Sequence, residues 1–103
     1  MPTKITKEAY AEAEWFAALG EPTRLAIVRI LASGEKTPVE LSKLLGIIDT
    51  VIGHHLKTLD LAGVSQVSRK GKVAPRSLAN AVVKDGNLEL TSPTGLKVVL
   101  PLW

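Results

Sequence analysis

The residues of this chain best suited to chemistry are cationic and polar rather than nucleophilic. Between residues 54 and 76 stand Lys57, Arg69, Lys70, Lys72 and Arg76, with Asp60 as the single acid. That local excess of +4 over 23 residues calls for an anionic partner, and nucleic acid is the most economical one. Residues 1–48 are balanced, with six Lys/Arg and six Asp/Glu, so residues 49–103 carry the whole net charge of +3. Thr50, Gly53, His54 and Lys57 recur at i, i+3, i+4 and i+7, which places them on one face of a helix. Lys70 and Lys72 flank Gly71, where long, flexible ammonium groups suit phosphate and carry no base information.

Other chemistries find little support. Cysteine is absent, which removes disulfides, thiolate metal sites and cysteine nucleophiles together. His54 and His55 are adjacent and point about 100° apart on a helix, so they cannot chelate one ion. No transition-metal site within one protomer is therefore expected, and no cofactor. No glycine-rich phosphate loop, paired carboxylates or nucleophile with a base can be picked out, and an enzyme is not expected.

These candidates need elements to hold them. Thr6 can cap a first helix running to about Leu19, with Gly20 as a left-handed stop and Tyr10, Ala13, Phe16 and Ala17 as its apolar stripe. Pro22 opens a second helix that buries Leu25, Val28 and Leu31, flanked by Ile27 and Ile30, and Gly34 ends it. Thr37-Pro38-Val39-Glu40 is a capping box for a third, short helix through Leu41, Leu44 and Leu45, closed by Gly46. A fourth helix follows at once over 49–62. Its inward face is Ile52, His55, Leu56 and Leu59, and Gly63 terminates it. Ile48 cannot cap that helix, which leaves Asp49 or Thr50 to do so.

The periodicity then changes. Val64–Ser68 and Val73–Ser77 read as strands around a basic tip, Arg69 to Lys72, with Gly71 where a positive φ is expected. Asp85-Gly86 and Ser92-Pro93-Thr94-Gly95 are turn signals that divide residues 79–100 into further strands. Two short helices across a tight turn, with a basic hairpin directly behind, describe a winged helix-turn-helix. The expected fold is α+β: residues 1–78 form a winged helix-turn-helix with a basic β-hairpin wing, and residues 79–103 a C-terminal β extension of the same domain.

Phe16-Ala17-Ala18-Leu19-Gly20-Glu21-Pro22-Thr23-Arg24-Leu25, followed by Ile27 to Leu31, resembles the opening of the ArsR/SmtB family of winged-helix repressors. Glu40 to Gly46 and His54 to Val64 continue the likeness in order, so that it spans residues 14–78. The resemblance implies a symmetric, dimeric, DNA-binding transcription regulator that reads a palindromic operator with helix 49–62 and touches the backbone with wing 64–77. It implies base reading at Thr50, Gly53 and His54, and backbone contact at Lys57 and at Arg69, Lys70, Lys72 and Arg76. It also implies a homodimer interface on the first helix, at Tyr10, Trp15 and Phe16. The chain departs from the family pattern in its third helix, which lacks metal-binding cysteines, and in Ile48 to Gly53, where the family favours small hydroxyl residues and glutamine. The family's last helix is replaced by strands.

Length and composition agree with one small domain of 103 residues, 46% of them hydrophobic and 22% charged. No apolar run reaches the ~18 residues of a membrane helix, and residues 1–14 lack the apolar core of a signal peptide, so a cytoplasmic protein is expected. A different function class remains open at this level. Asp49, Gly53 and the apolar Ile47-Ile48 pair also suit a winged helix that binds protein, its β extension pairing with a partner's edge strand.

Overall fold

The computed structural model describes residues 4–103. Four helices come first: α1 (Lys7–Leu19), α2 (Pro22–Leu31), α3 (Pro38–Leu45) and α4 (Asp49–Ala62). Five strands follow: β1 (Ser65–Val67), β2 (Arg76–Leu78), β3 (Ala81–Lys84), β4 (Asn87–Thr91) and β5 (Lys97–Pro101). The strands form two antiparallel sheets, β1-β2 and β3-β4-β5. The α+β winged helix-turn-helix expected from the sequence is the fold observed.

Most helix ends follow the residues that signal them. Thr6 Oγ1 accepts from Ala9 N at 3.1 Å, and Thr37 and Glu40 complete both halves of the capping box. Gly46 (φ 66°) and Gly63 (φ 83°) close α3 and α4 in the left-handed region that their missing Cβ permits. Gly20 does not act this way: its φ is −82°, and its N–H bonds Ala17 O at 3.1 Å. The chain turns there because Glu21 is extended and caps α2, its carboxylate accepting from Thr23 N and Arg24 N at 3.0 and 3.1 Å. Helix α2 likewise ends before Gly34, with Ala32 as its C-cap. Neither Asp49 nor Thr50 caps α4, whose N-cap, Ile48, offers no side-chain bond.

One apolar cluster unites the helices with the β extension. Ile27, Leu41, Ile52, Leu56 and Leu59 are buried together with Leu88 and Leu90 of β4. The register explains why: Leu88 and Leu90 project from one side of β4, opposite Leu100 and Val98 of β5, while Glu89 pairs with the exposed Val82 and Val99. Gly63 and Pro93 weld the two parts, since a Cβ at Gly63 would lie 3.0 Å from Pro93 Cγ.

The buried face of α1 differs from the expected one. Trp15, Ala18 and Leu19 enter the core, whereas Tyr10 and Phe16 remain 63% and 47% exposed. Trp15 is therefore a core residue rather than a dimer contact, because at 1% exposure it has no surface to offer. Phe16 stands edge-on to its ring, 5.4 Å away between centroids, on the open side.

Candidate nucleic-acid interface

The exposed face of α4 is assembled by what its opposite face buries. Ile52, Leu56 and Leu59 face the core, and helical periodicity then turns Thr50, Gly53, His54 and Lys57 outward, all of them exposed. Helix α3 braces α4 across the Gly46-Ile47-Ile48 turn, where Ser42 Oγ donates to Ile47 O. A Cβ at Gly53 would meet nothing within 4 Å, so packing inside the protein does not demand glycine there.

The paired histidines do different work. His54 is exposed on the outer face. His55 Nδ1 lies 3.2 Å from an Arg24 terminal nitrogen and 3.4 Å from Glu21 Oε2. Arg24 in turn donates through Nε to Ala18 O at 2.7 Å, so one polar knot joins the end of α1, the start of α2 and the middle of α4. The Glu21 carboxyl is held below its ordinary value, chiefly by the Thr23 backbone N–H; partial burial opposes this, and the Arg24 N–H and His55 assist it.

The wing is shorter in strand and longer in loop than its sequence suggests. Ser65, Gln66 and Val67 pair with Leu78, Ser77 and Arg76, and the chain loops out between Ser68 and Pro75. Gly71 takes φ 138° at its tip, the positive value expected of it. Lys70 and Lys72 are exposed and have no ion-pair partner among the described residues. Arg69 reaches back to Glu35 Oε1 at 3.0 Å in an exposed pair, an interaction of about 0–1 kcal/mol that a phosphate can replace.

Arg76 is not available to DNA as expected. Its Nε donates to Asp60 Oδ2 at 2.9 Å, a terminal nitrogen donates to Ala74 O, and its side chain is only 15% exposed. Ser65 Oγ donates to the other Asp60 oxygen at 2.6 Å, and the Arg76 backbone forms a two-way bridge with Lys36. Its charge is consumed in fixing the wing to α4, while its backbone fixes the wing to the segment just before α3. Sequence reasoning also passed over Val51, which is 39% exposed beside Ile48 at 69%. Both flank Thr50 at the leading end of α4, where apolar groups can meet thymine methyls. The signal was available, since Val51 lies off the Ile52-Leu56-Leu59 stripe.

A recognition-type helix presented by a short helix and a tight turn, with a basic hairpin beside it, defines a winged helix-turn-helix domain. The family model "Bacterial regulatory protein, arsR family" matches residues 21–64. The transcriptional repressor SdpR of Bacillus subtilis (strain 168) is 34% identical over 70 residues, covering 68% of this chain and 78% of that protein. The chain belongs to the ArsR family and is a DNA-binding transcriptional regulator. Among solved structures, the repressor BigR from Xylella fastidiosa superposes with a TM-score of 0.59 at 29% identity, over 70% of this chain and 71% of that one. The homodimeric winged helix-turn-helix domain of Mb0332 from Mycobacterium bovis gives 0.66 at 24% identity, over 78% of this chain and 77% of that one, and shows the shared fold.

Proposed function

We propose that this regulator is a homodimeric repressor that binds a palindromic operator without chemistry of its own. In this reading α4 enters the major groove, and Thr50, Gly53 and His54 meet base edges. Lys57, Lys70, Lys72 and, once released from Glu35, Arg69 meet phosphates. The carrying observation is the single exposed face of α4 lying in the same fold as a wing whose Lys70 and Lys72 have no protein partner among the described residues. The names of the repressors SdpR and BigR support the direction of control.

Pairing through α1 is supported by the exposed Tyr10 and Phe16 and by a separate hollow of about 380 Å³ between α1 and α4, lined by Glu14, Ala17, Leu61 and Ala62 among others. In a two-fold dimer bound to a palindromic operator, the two recognition helices would stand one DNA turn, about 34 Å, apart. Action on DNA places the regulator in the cytoplasm in this reading; no helix among the described residues is long and apolar enough to cross a membrane. The test is a salt titration of binding to genomic fragments selected by the protein and to random duplex. A repressor gives a steep slope on both and a tighter constant on the selected sites. A flat slope on both, with a protein captured instead, would replace this reading by the protein-binding one.

A further inference from the structure

Away from the α4 face, an open cleft of about 390 Å³ lies between the C-terminal end of α2 and the β extension. Its volume is within the range of small-molecule sites. Ile30 and Ala32 form one wall; Val83 and Leu102 form the other. Ser33 also reaches the cleft, but its hydroxyl is occupied by Ile30 O at 2.8 Å. Arg29 is the charged group of this lining. Its Nε donates to Pro101 O at 2.9 Å, and the Trp103 ring covers one face of the guanidinium, 3.8 Å from its carbon. Neither terminal nitrogen of Arg29 has a protein acceptor or a carboxylate partner among the described residues.

An apolar trough ending at a guanidinium already oriented by a backbone carbonyl and an indole has a definite chemical complement. The guanidinium edge presents parallel N–H donors that match a carboxylate, and the walls offer no competing polar group for the rest of a ligand. We propose that this cleft binds a small apolar carboxylate, its acid group on Arg29 and its hydrocarbon body along Ile30, Val83 and Leu102. Trp103, 91% exposed, then packs against the ligand and shields the ion pair from water. None of these residues belongs to the α4 face or the wing, so occupancy is measured without DNA and stands or falls apart from the operator reading.

The experiment is calorimetry on the full chain with sodium decanoate and, separately, with decanol, which has the same hydrocarbon length and no charge. Decanoate is expected to bind once per chain, about tenfold or more tighter than decanol. Arg29→Gln should cancel that advantage and leave decanol unchanged, and Arg29→Lys should keep part of it. Ala32→Phe, which fills the trough from the C-cap of α2, should abolish both. Thermal unfolding of each variant separates a lost site from a lost fold. The proposal is overturned by the absence of saturable decanoate binding below about 1 mM, by equal binding of acid and alcohol, or by a folded Ala32→Phe that binds decanoate normally.

Discussion

Arg76 Nε donates to Asp60 Oδ2 at 2.9 Å, which ties the second strand of the wing to the last turn of the recognition helix. The bond sets where the wing stands relative to α4, and it divides the basic residues into those that build the interface and those that face outward from it. Arg76→Ala should lower stability by about 1–3 kcal/mol, because Asp60 loses its cationic partner in a partly buried place and keeps only the Ser65 hydroxyl. Denaturant unfolding reads this loss. At a temperature where the variant is folded, its salt slope on random DNA should match the parent's. A slope reduced as in a lysine variant would return Arg76 to the phosphate-binding set.

Lys70 and Lys72 should behave in the opposite way. Replacing either by Ala should leave the unfolding free energy within ~0.5 kcal/mol of the parent, since both are exposed. Binding should weaken on every duplex alike, and the salt slope should fall by about 0.9 for each phosphate that is no longer neutralised. Fluorescence anisotropy at several salt concentrations makes the comparison.

His54→Ala changes selectivity instead. A base contact at that position predicts a loss of about 1–3 kcal/mol on the selected site and much less on random DNA. Equal losses on both would assign His54 to the backbone. His55→Ala, by contrast, should destabilise the fold, since it breaks the knot with Arg24 and Glu21.

The two aromatic neighbours on α1 separate core from interface. Trp15→Ala should cost about 3–5 kcal/mol, the range for removing a buried aromatic side chain. Phe16→Glu should leave the protomer folded and shift light scattering from dimer to monomer at micromolar concentration. A monomeric parent protein would remove the pairing proposal altogether.

Acid should destabilise the protein through its caps. Glu21 and Glu40 both sit below the ordinary 4.5, held there first by the backbone N–H groups of Thr23 and Thr37 respectively. A folded-state value below the unfolded one means that their contribution is complete above about pH 4.5 and fades as pH falls through the lower folded value. Tm should therefore drop across that window in the parent, and less steeply in Glu21→Gln and Glu40→Gln.

Much of this fold is legible residue by residue because its signals are local. Thr37 and Glu40 specify a capping box within four residues, Gly46 and Gly63 stop helices by backbone freedom alone, and Asp85-Gly86 turns β3 into β4 with both residues at positive φ. The exposed face of α4 follows as the complement of Ile52, Leu56 and Leu59, so Thr50, Gly53, His54 and Lys57 could be grouped from spacing alone. Tertiary structure decided what depends on distant partners. Arg76 and Lys72 are both basic residues of one hairpin, but Asp60, sixteen residues before Arg76, takes its charge and leaves Lys72 free. Trp15 and Phe16 are adjacent aromatics, and the expected apolar stripe took in Phe16; the packing of α1 against α4 instead buries Trp15 and leaves Phe16 47% exposed. The cleft at Arg29 was invisible for the same reason, since Val83 and Leu102 reach it only after the β extension folds back on α2. Capping, stopping and turning are settled by a few neighbouring dihedrals and hydrogen bonds. Which like residue is buried, paired or left free depends on elements brought together across the chain, and nearby sequence does not encode that choice.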